Sequence, residues 1–477
     1  MGKVGFRRAR RSSEARWRIA FACVLFTAGT PANAQNQNYQ PQRPATLQSV
    51  PSGAPTSEVV HLSLRQAIEL AVRYNLGGIE NTENTRIARG QRLQALSRLL
   101  PQVSAGAFEN VDQLTSAPLG LRPGGPFPSV TGPFSYSTAQ ADFSQSLFSL
   151  ESIQRYRASR SAENAAQLSY KDTLDLITLA VGNSYLEVIQ DSSRIDAAEA
   201  QVKNAQALYD QAVDELHAGT SPKIDVTRSG VQLHTEQYRL SIARNDFAIA
   251  KLNLARAIGL PLGQQFDLAD SLPYADLQPS SMDEALKSAF ATRSDFQAAL
   301  ASVRVAQQQL SAVRAERYPV LAAGGGYGVQ GPTFGHSHGI LGFQAGVSVP
   351  VFTGGRIKGD LVQAEALLRQ RRAEAENLRG QIDYDVRTAY LNLQAAKEQV
   401  TVARENVDLA NENLDRSKER FAAGVTDSVE VVQAQQSLSS ANDQYIAGLY
   451  SHNLAKLQLA RALGVARSNY SQFIAAH

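Results

Sequence analysis

The chain has 477 residues and a formal net charge of +3, and its small basic excess lies in the first 34 residues. The other residues comprise 40 basic and 43 acidic side chains, a balance that indicates no nucleic-acid partner. Cys23 is the only cysteine, so residues 35–477 contain no thiol for a disulfide, a thiolate metal site or a cysteine nucleophile.

The N-terminal segment has the three parts of a secretory signal peptide. Six arginines within residues 7–18 precede an apolar run over residues 19–28, and small residues follow, ending in Ala32 and Ala34. The run is too short for a membrane anchor, which needs about 20 apolar residues. The sequence predicts a signal peptide over residues 1–34, cleaved after Ala34 and not lipidated, and a disordered lead-in rich in Gln, Pro and Ser over residues 35–60.

The rest of the chain contains one unit twice. Residues 250–259 (AKLNLARAIG) and 455–464 (AKLQLARALG) are identical at eight of ten positions. The same offset of 205 residues aligns Tyr185 with Tyr390 and Gly219 with Gly424 without a gap. Chance similarity between alanine-rich helices would not keep one register over such different residues. We predict two repeats, at residues 61–270 and 271–470, and a C-terminal tail at residues 471–477.

Each repeat is predicted to contain a helix, a strand, a loop, a second strand and two very long helices. Apolar and small residues follow a 3,4 spacing along the long helices, which is typical of knobs-into-holes packing. The positions are Ile195, Ala198, Val202, Ala205, Tyr209, Ala212 and Leu216 in the first repeat, and Val400, Ala403, Val407, Ala410, Leu414, Ser417, Phe421, Val431, Ala434, Leu438, Ala441 and Tyr445 in the second. Residues 354–422 contain no proline, and a helix of that length would be roughly 100 Å long. Such helices need a bundle or an oligomer to bury their apolar faces.

Two segments alternate apolar residues with polar or small ones. The apolar positions are Ala139, Ala141, Phe143 and Leu147 in the first segment, and Leu341, Phe343, Ala345, Val347, Val349 and Val351 in the second. This alternation suits a barrel strand between lipid and water. A half-buried soluble sheet shows it too, but the signal peptide and the long helices favour the barrel. Partner strands are predicted to start at Val103 and Val320. Four strands are too few to close a barrel, so closure requires several chains.

The layout and several motifs resemble the TolC family of outer-membrane factors. The matching segments are residues 62–71 (LSLRQAIELA), 99–103 (LLPQV), 293–296 (RSDF), 349–356 (VPVFTGGR) and 420–434 (RFAAGVTDSVEVVQA). The resemblance implies a mixed α+β membrane protein, a homotrimer in which four strands per chain complete a twelve-stranded barrel and helical hairpins form a periplasmic tunnel. It also implies a passive exit duct for efflux or type I secretion in the outer membrane. The expected partners are outer-membrane lipid, a periplasmic adaptor and an inner-membrane transporter of the RND or ABC type.

The same resemblance places the functional residues at the tips of the two hairpins. Gly219 and Gly424 occupy the turns, where a residue without Cβ can adopt left-handed backbone angles. Thr220 and Val425 follow them, and these four positions are the expected docking points for the adaptor.

Five further residues are expected at the periplasmic aperture. Asp225 and Glu430 match acidic residues of the family's first and second tips, and Gln433 takes a position that is often Asp. Phe421 and Thr426 stand where some members carry a Tyr and an Arg that latch the closed state. Phenylalanine has no hydroxyl and threonine no charge, so neither can make the family's latch bonds.

No group of residues indicates an enzyme. His336 and His338 lie in a glycine-rich connection, and two imidazoles are short of the four ligands of a structural zinc site. The one match to the nucleophile motif G-x-S-x-G, residues 335–339 (GHSHG), lies in this same connection between two predicted strands and is no strand-to-helix elbow. We therefore predict no catalytic residue, metal or cofactor. The alternative to a channel is an exported coiled-coil scaffold whose alternating segments form a soluble sheet.

Overall fold

The structure, a computed structural model, describes residues 48–115, 130–270, 274–277 and 281–467. The predicted signal peptide at residues 1–34, its cleavage site at Ala32 and Ala34, and the tail at residues 471–477 lie outside these ranges.

Apart from two short strands in the first half, helices and strands follow one another in the same order in both halves of the chain. The first half contains β1 (Val60–Leu62), α1 (Leu64–Tyr74), α2 (Leu76–Ser97), β2 (Gln102–Thr115), β3 (Val130–Phe148), α3 (Leu150–His217), α4 (Lys223–Ile258) and β4 (Phe266–Leu268). The second half contains α5 (Met282–Thr292), α6 (Ser294–Ala315), β5 (Val320–Gly331), β6 (His338–Ser348), α7 (Arg356–Ala422) and α8 (Ser428–Ala462), with a 3-10 turn at Phe334–His336. The predicted class, long helical hairpins with antiparallel strands, is confirmed.

Four long strands form one antiparallel sheet in the order β2-β3-β5-β6. Within the described residues, β2 and β6 each leave one edge unpaired. The apolar side chains of β6 are open to solvent in the single chain, with Leu341 81% and Phe343 75% exposed. A sheet with exposed apolar side chains and two free edges is incomplete as a soluble structure, because unpaired strand edges and apolar patches favour association.

The second alternating segment ends earlier than the sequence pattern indicates. Val349 and Val351 were expected to continue the strand, but β6 ends at Ser348. Pro350 lies between the two valines and has no N–H for a strand hydrogen bond, so the ladder stops before it. Val351 is therefore 95% exposed beyond the sheet.

The close packing of neighbouring strands requires a glycine at position 325. Gly325 pairs with Phe143 on one side and Phe343 on the other. A Cβ there would lie 2.6 Å from the carbonyl oxygen of Gly342 and 3.3 Å from the Phe343 ring. The run at residues 324–326 gives no strand signal in the sequence, yet glycine lets β5 lie between two strands that carry aromatic side chains.

The long helices pack along the predicted seams. In α7 the residues from Val400 to Phe421 that are buried or half-buried are those with the 3,4 spacing, and all others in that range are exposed. In α3 the seam is broader, because this helix packs on both α4 and α8. Gln201 and Leu208 are buried there beside the predicted Val202 and Tyr209, which are only half-buried.

Each half contains two helices before its first long strand, where the sequence pattern indicates one. The first break is at the buried Asn75, which has extended backbone angles and accepts a hydrogen bond from Gly77 N–H through Oδ1 at 2.9 Å. The second is at Arg293, whose backbone is extended in the same way. Its buried guanidinium pairs with Asp295 at 2.6 Å and with Asp385 of α7 at 3.0 Å.

A second arginine joins the C-terminal end of α8 to α3. Arg461 pairs with Asp172 at 2.5 Å and lies 3.7 Å from Asp295. Burial raises the pKa of Asp172, and it raises the pKa of nearby Asp175 to about 6. Burial acts in the same sense on Asp295, but the hydrogen bonds and charge of Arg293 outweigh it and hold that pKa below its usual value. These pairs connect elements of both halves in a largely buried site.

A small layer covers the middle of the first hairpin. β1 and β4 pair in parallel, and α1 packs with them on α3 through the apolar core that contains Ile177, Val181 and Tyr185. Part of the predicted lead-in belongs to this layer. From Gln48 onwards it is held by backbone hydrogen bonds, such as Val50 N–H to the Tyr74 carbonyl at 2.9 Å, rather than being loose.

Among the described residues, none of the helices combines the length and apolar character needed to cross a membrane.

Candidate functional site at the hairpin tips

One tight turn joins the two long helices of each half, and both turns depend on glycine. Gly219 follows α3 with φ = +75°, and Gly424 follows α7 with φ = +67°. Left-handed backbone angles are unfavourable for a residue that has a Cβ atom, but not for glycine. Thr220 closes the first turn by donating both its N–H and its hydroxyl to the carbonyl of Glu215. Val425 is 68% exposed in the second turn.

Asp225 connects the two tips within the chain. Its carboxylate, in the first turn of α4, is nearly buried. Oδ1 accepts a hydrogen bond from Ser428 Oγ of α8 at 2.5 Å, and Oδ2 accepts one from Ser221 Oγ at 3.0 Å. Arg228 lies 3.6 Å away. A buried carboxylate with charge-assisted hydrogen bonds makes this contact between α4 and α8 a strong one.

Glu430 has the equivalent place in the second tip, and the offset of 205 residues aligns it with Asp225. Thr426 Oγ1 donates to Glu430 Oε2 at 2.5 Å, as Ser221 does to Asp225, and 205 residues also separate these two hydroxyl residues. Arg420 Nε lies 3.3 Å from Glu430 Oε1. Unlike Asp225, Glu430 is only half-buried, so its carboxylate remains accessible to solvent.

The other predicted aperture residues occupy different surroundings. Phe421 packs half-buried in an apolar cluster with Leu208, Leu414 and Val431. Gln433 is exposed on α8, one helical turn beyond Glu430. The structure therefore brings Thr426 and Glu430 into contact and leaves Phe421 and Gln433 outside that contact.

A polar seam between α4 and α8, which the sequence does not reveal, extends from the tips. Its hydrogen bonds run from Ser428 to Asp225, from Gln436 to Gln232 at 3.2 Å and from Arg239 to Ser439 at 3.2 Å. Arg239 also pairs with the buried Glu236 at 3.1 Å. The three hydrogen bonds between α4 and α8 join residues 200 to 204 positions apart, so the periodicity of either helix carries no signal for them.

The comparisons with known proteins agree with this architecture. Residues 84–260 and 285–465, well over half of the chain, match the family model described as outer membrane efflux protein. The chain belongs to the outer membrane efflux protein family. Among its relatives in the family, the pyoverdine export outer membrane protein OpmQ of Pseudomonas putida is 24% identical over 465 residues, covering 93% of this chain and 94% of OpmQ. The outer membrane protein TolC of Vibrio cholerae is 24% identical over 77% of this chain and 83% of its own.

The fold is also that of a solved outer membrane protein. The crystal structure of the outer membrane protein VceC from Vibrio cholerae superposes with a TM-score of 0.71 at 19% identity, covering 84% of this chain and 96% of VceC. The predicted resemblance, the outer-membrane location and the role as an efflux duct rather than an enzyme are thereby confirmed.

Proposed function

We propose that three copies of this outer membrane efflux protein assemble into one channel. The observation that carries this proposal is the four-stranded sheet with free edges at β2 and β6 and apolar side chains exposed on its outermost strand. If β6 of one chain pairs with β2 of the next, three chains supply twelve strands and no edge is left in lipid. The long helices that follow the strands would then line up as a periplasmic tunnel.

The assembly is testable on purified full-length protein. Chemical cross-linking in detergent should stop at a trimer, and reconstitution into planar bilayers should give discrete conductance steps. A soluble elongated monomer without conductance would contradict the channel and favour the exported scaffold.

We propose further that the hairpin tips dock a periplasmic adaptor, which couples the duct to an inner-membrane transporter of the RND or ABC type. The support is the chemistry of the tips, where Val425 and Ile224 are exposed apolar side chains at the ends of long helices. Replacing Val425 with Asp should abolish co-purification with a co-expressed periplasmic adaptor and leave bilayer conductance unchanged. Unchanged co-purification would contradict docking through this turn.

The tips would also form the aperture of the resting tunnel, with Asp225 and Ser428 holding each second hairpin against the first. Glu430 is the candidate for an acidic ring, because its carboxylate is the more accessible of the two equivalent acids. Three such carboxylates around one axis would attract cations at the constriction.

The domain boundaries are part of the same proposal. The mature chain would start at Gln35 after cleavage at Ala34, and the two repeats would meet near residue 270. Mass measurement of the purified protein tests the start site, since an acylated Cys23 or an uncleaved leader would give a different mass.

A further inference from the structure

A basic groove lies between α3 and α6, on the part of the helices that is near the sheet. It has a volume of about 530 Å³, and the buried Ala301 is part of its lining. Three arginines converge on it, Arg157 and Arg160 from α3 and Arg304 from α6. The amide side chains of Gln167 and Gln308 also line it.

The positive charge of this groove is not neutralised by the described residues. None of them forms an ion pair with Arg157, Arg160 or Arg304, whereas Arg155 and Arg356 nearby are paired with Glu316. Glu163 is the one acidic residue in the lining, and it already pairs with Arg92 of α2 at 2.5 Å.

The sequence of α6 around the groove contains basic residues but no acidic ones. Between residues 296 and 315, α6 contains no Asp or Glu, so the helix brings no carboxylate of its own to Arg304. Gln308 is half-buried in the lining, and its buried side-chain oxygen has no hydrogen-bond partner among the described residues. The groove therefore combines three guanidinium groups with amides, and its one carboxylate, Glu163, is already paired with Arg92.

The groove faces the same side of α3 as the small layer formed by α1, β1 and β4. Arg160, Gln167, Leu174 and Val181 follow one another at heptad spacing, so they lie on one stripe of the helix. Leu174 and Val181 are buried in the core shared with α1. In the proposed tunnel such a layer belongs on the outside, since it would obstruct the lumen. The orientation of the groove thus rests on the proposed function, and it points to the outer surface.

The distance from the sheet places the groove just beyond the expected membrane boundary, within reach of long arginine side chains. Exposed apolar side chains lie on the helical side of the sheet, among them Phe148 at the end of β3 and Phe352 just beyond β6. α3 begins at Leu150, so at a rise of 1.5 Å per residue Arg157 and Arg160 lie about 10 and 15 Å from the helix start. Beyond the hydrocarbon core a bilayer continues for roughly 5–8 Å of headgroups, and long arginine side chains extend towards that layer.

We propose that this groove binds the phosphodiester headgroup of an anionic phospholipid from the inner leaflet of the outer membrane. The guanidinium group presents a planar fork of donors that matches phosphate oxygens in a bidentate geometry. Basic pockets between helices at a membrane surface bind anionic headgroups by this chemistry. Three arginines from two helices would hold the lipid against both, so the bound lipid would connect the barrel to the upper part of the tunnel.

The test uses full-length protein purified in non-ionic detergent and titrated with short-chain phosphatidylglycerol, with native mass spectrometry as the readout. The wild type should retain bound phosphatidylglycerol and not the zwitterionic phosphatidylcholine of the same chain length. Replacing all three groove arginines with Gln should weaken phosphatidylglycerol binding at least tenfold. Replacing them with Lys should restore only part of the affinity, because the ammonium group lacks the bidentate fork.

The matched control is a triple Gln variant of three exposed arginines of α7, namely Arg369, Arg372 and Arg404. It changes the net charge equally and should bind the lipid like the wild type. Equal lipid affinity in the groove variant and the wild type would overturn the proposal. Inorganic phosphate binding as tightly as the lipid would overturn the assignment to a lipid headgroup.

Two further measurements keep these outcomes interpretable. The first is helical circular dichroism, which should be the same in all variants. If the triple variant fails to fold, the single Arg304→Gln variant replaces it, and its affinity for phosphatidylglycerol should fall about tenfold. Bilayer conductance is measured in parallel. Normal conductance with unchanged lipid binding refutes the groove alone, whereas absent conductance in the wild type refutes the channel.

Discussion

The contact between Asp225 and Ser428 allows a quantitative prediction about the resting state of the channel. Ser428→Ala removes a buried hydroxyl that donates to a nearly buried carboxylate, and it leaves Asp225 with Ser221 and a distant Arg228. Hydrogen bonds to charged groups contribute about 1.5–3 kcal/mol each. If the contact exists only when the tips are closed, its loss shifts the opening equilibrium of each chain by roughly 10- to 150-fold.

The assay for this change is the conductance of the reconstituted channel at low voltage, where the resting aperture limits the current. Ser428→Ala should raise the open probability, and Asp225→Asn should raise it in the same direction because the hydrogen bond loses its charge. Ser437→Ala is the matched control on the same helix. Ser437 is exposed and donates only to the carbonyl of Gln433 in its own helix. Equal conductance in Ser428→Ala, Ser437→Ala and the wild type would refute a gating role for the contact.

Three other predictions concern the barrel, the aperture and the buried acids. Phe343→Arg would place a charge against lipid and should destabilise the membrane-inserted barrel by about 2–4 kcal/mol per chain. Gln344→Arg on the other face should assemble normally, and similar losses in both variants would disprove the assignment of the two faces. Glu430→Gln should lower the preference of the channel for cations, measured as the reversal potential in planar bilayers, whereas Glu405→Gln on the exposed face of α7 should not change it. Unchanged selectivity in Glu430→Gln would exclude an acidic ring at this position. Because burial raises the pKa of Asp175 to about 6, its contribution to stability is full below pH 4 and is lost as the pH rises through 6. Asp175→Asn should therefore raise the free energy of unfolding by at most about 3 kcal/mol at neutral pH and by little at pH 4, and thermal melts showing an equal gain at both pH values would contradict this reasoning.

The elements with a repeating local pattern were predictable from the sequence. The 3,4 spacing in α7 identified its buried face, and the alternating segments located the strands, because one side of each element meets a neighbour throughout its length. The sequence also contains the duplication, and with it the equivalence of Asp225 and Glu430 in the two tips. Local signals of this kind depend on residues a few positions apart.

Only the tertiary structure decided the contacts between the repeats. Asp225 meets Ser428, and Arg461 meets Asp172, because two separate hairpins pack side by side. The breadth of the seam in α3 depends on a second neighbour, α8, that its own periodicity does not encode. The difference between the equivalent acids has the same origin: Asp225 is covered by the second hairpin, whereas Glu430 is only partly covered and keeps its carboxylate accessible. Burial is a property of what packs on a residue, so two positions alike in sequence acquire different environments once the chain is folded.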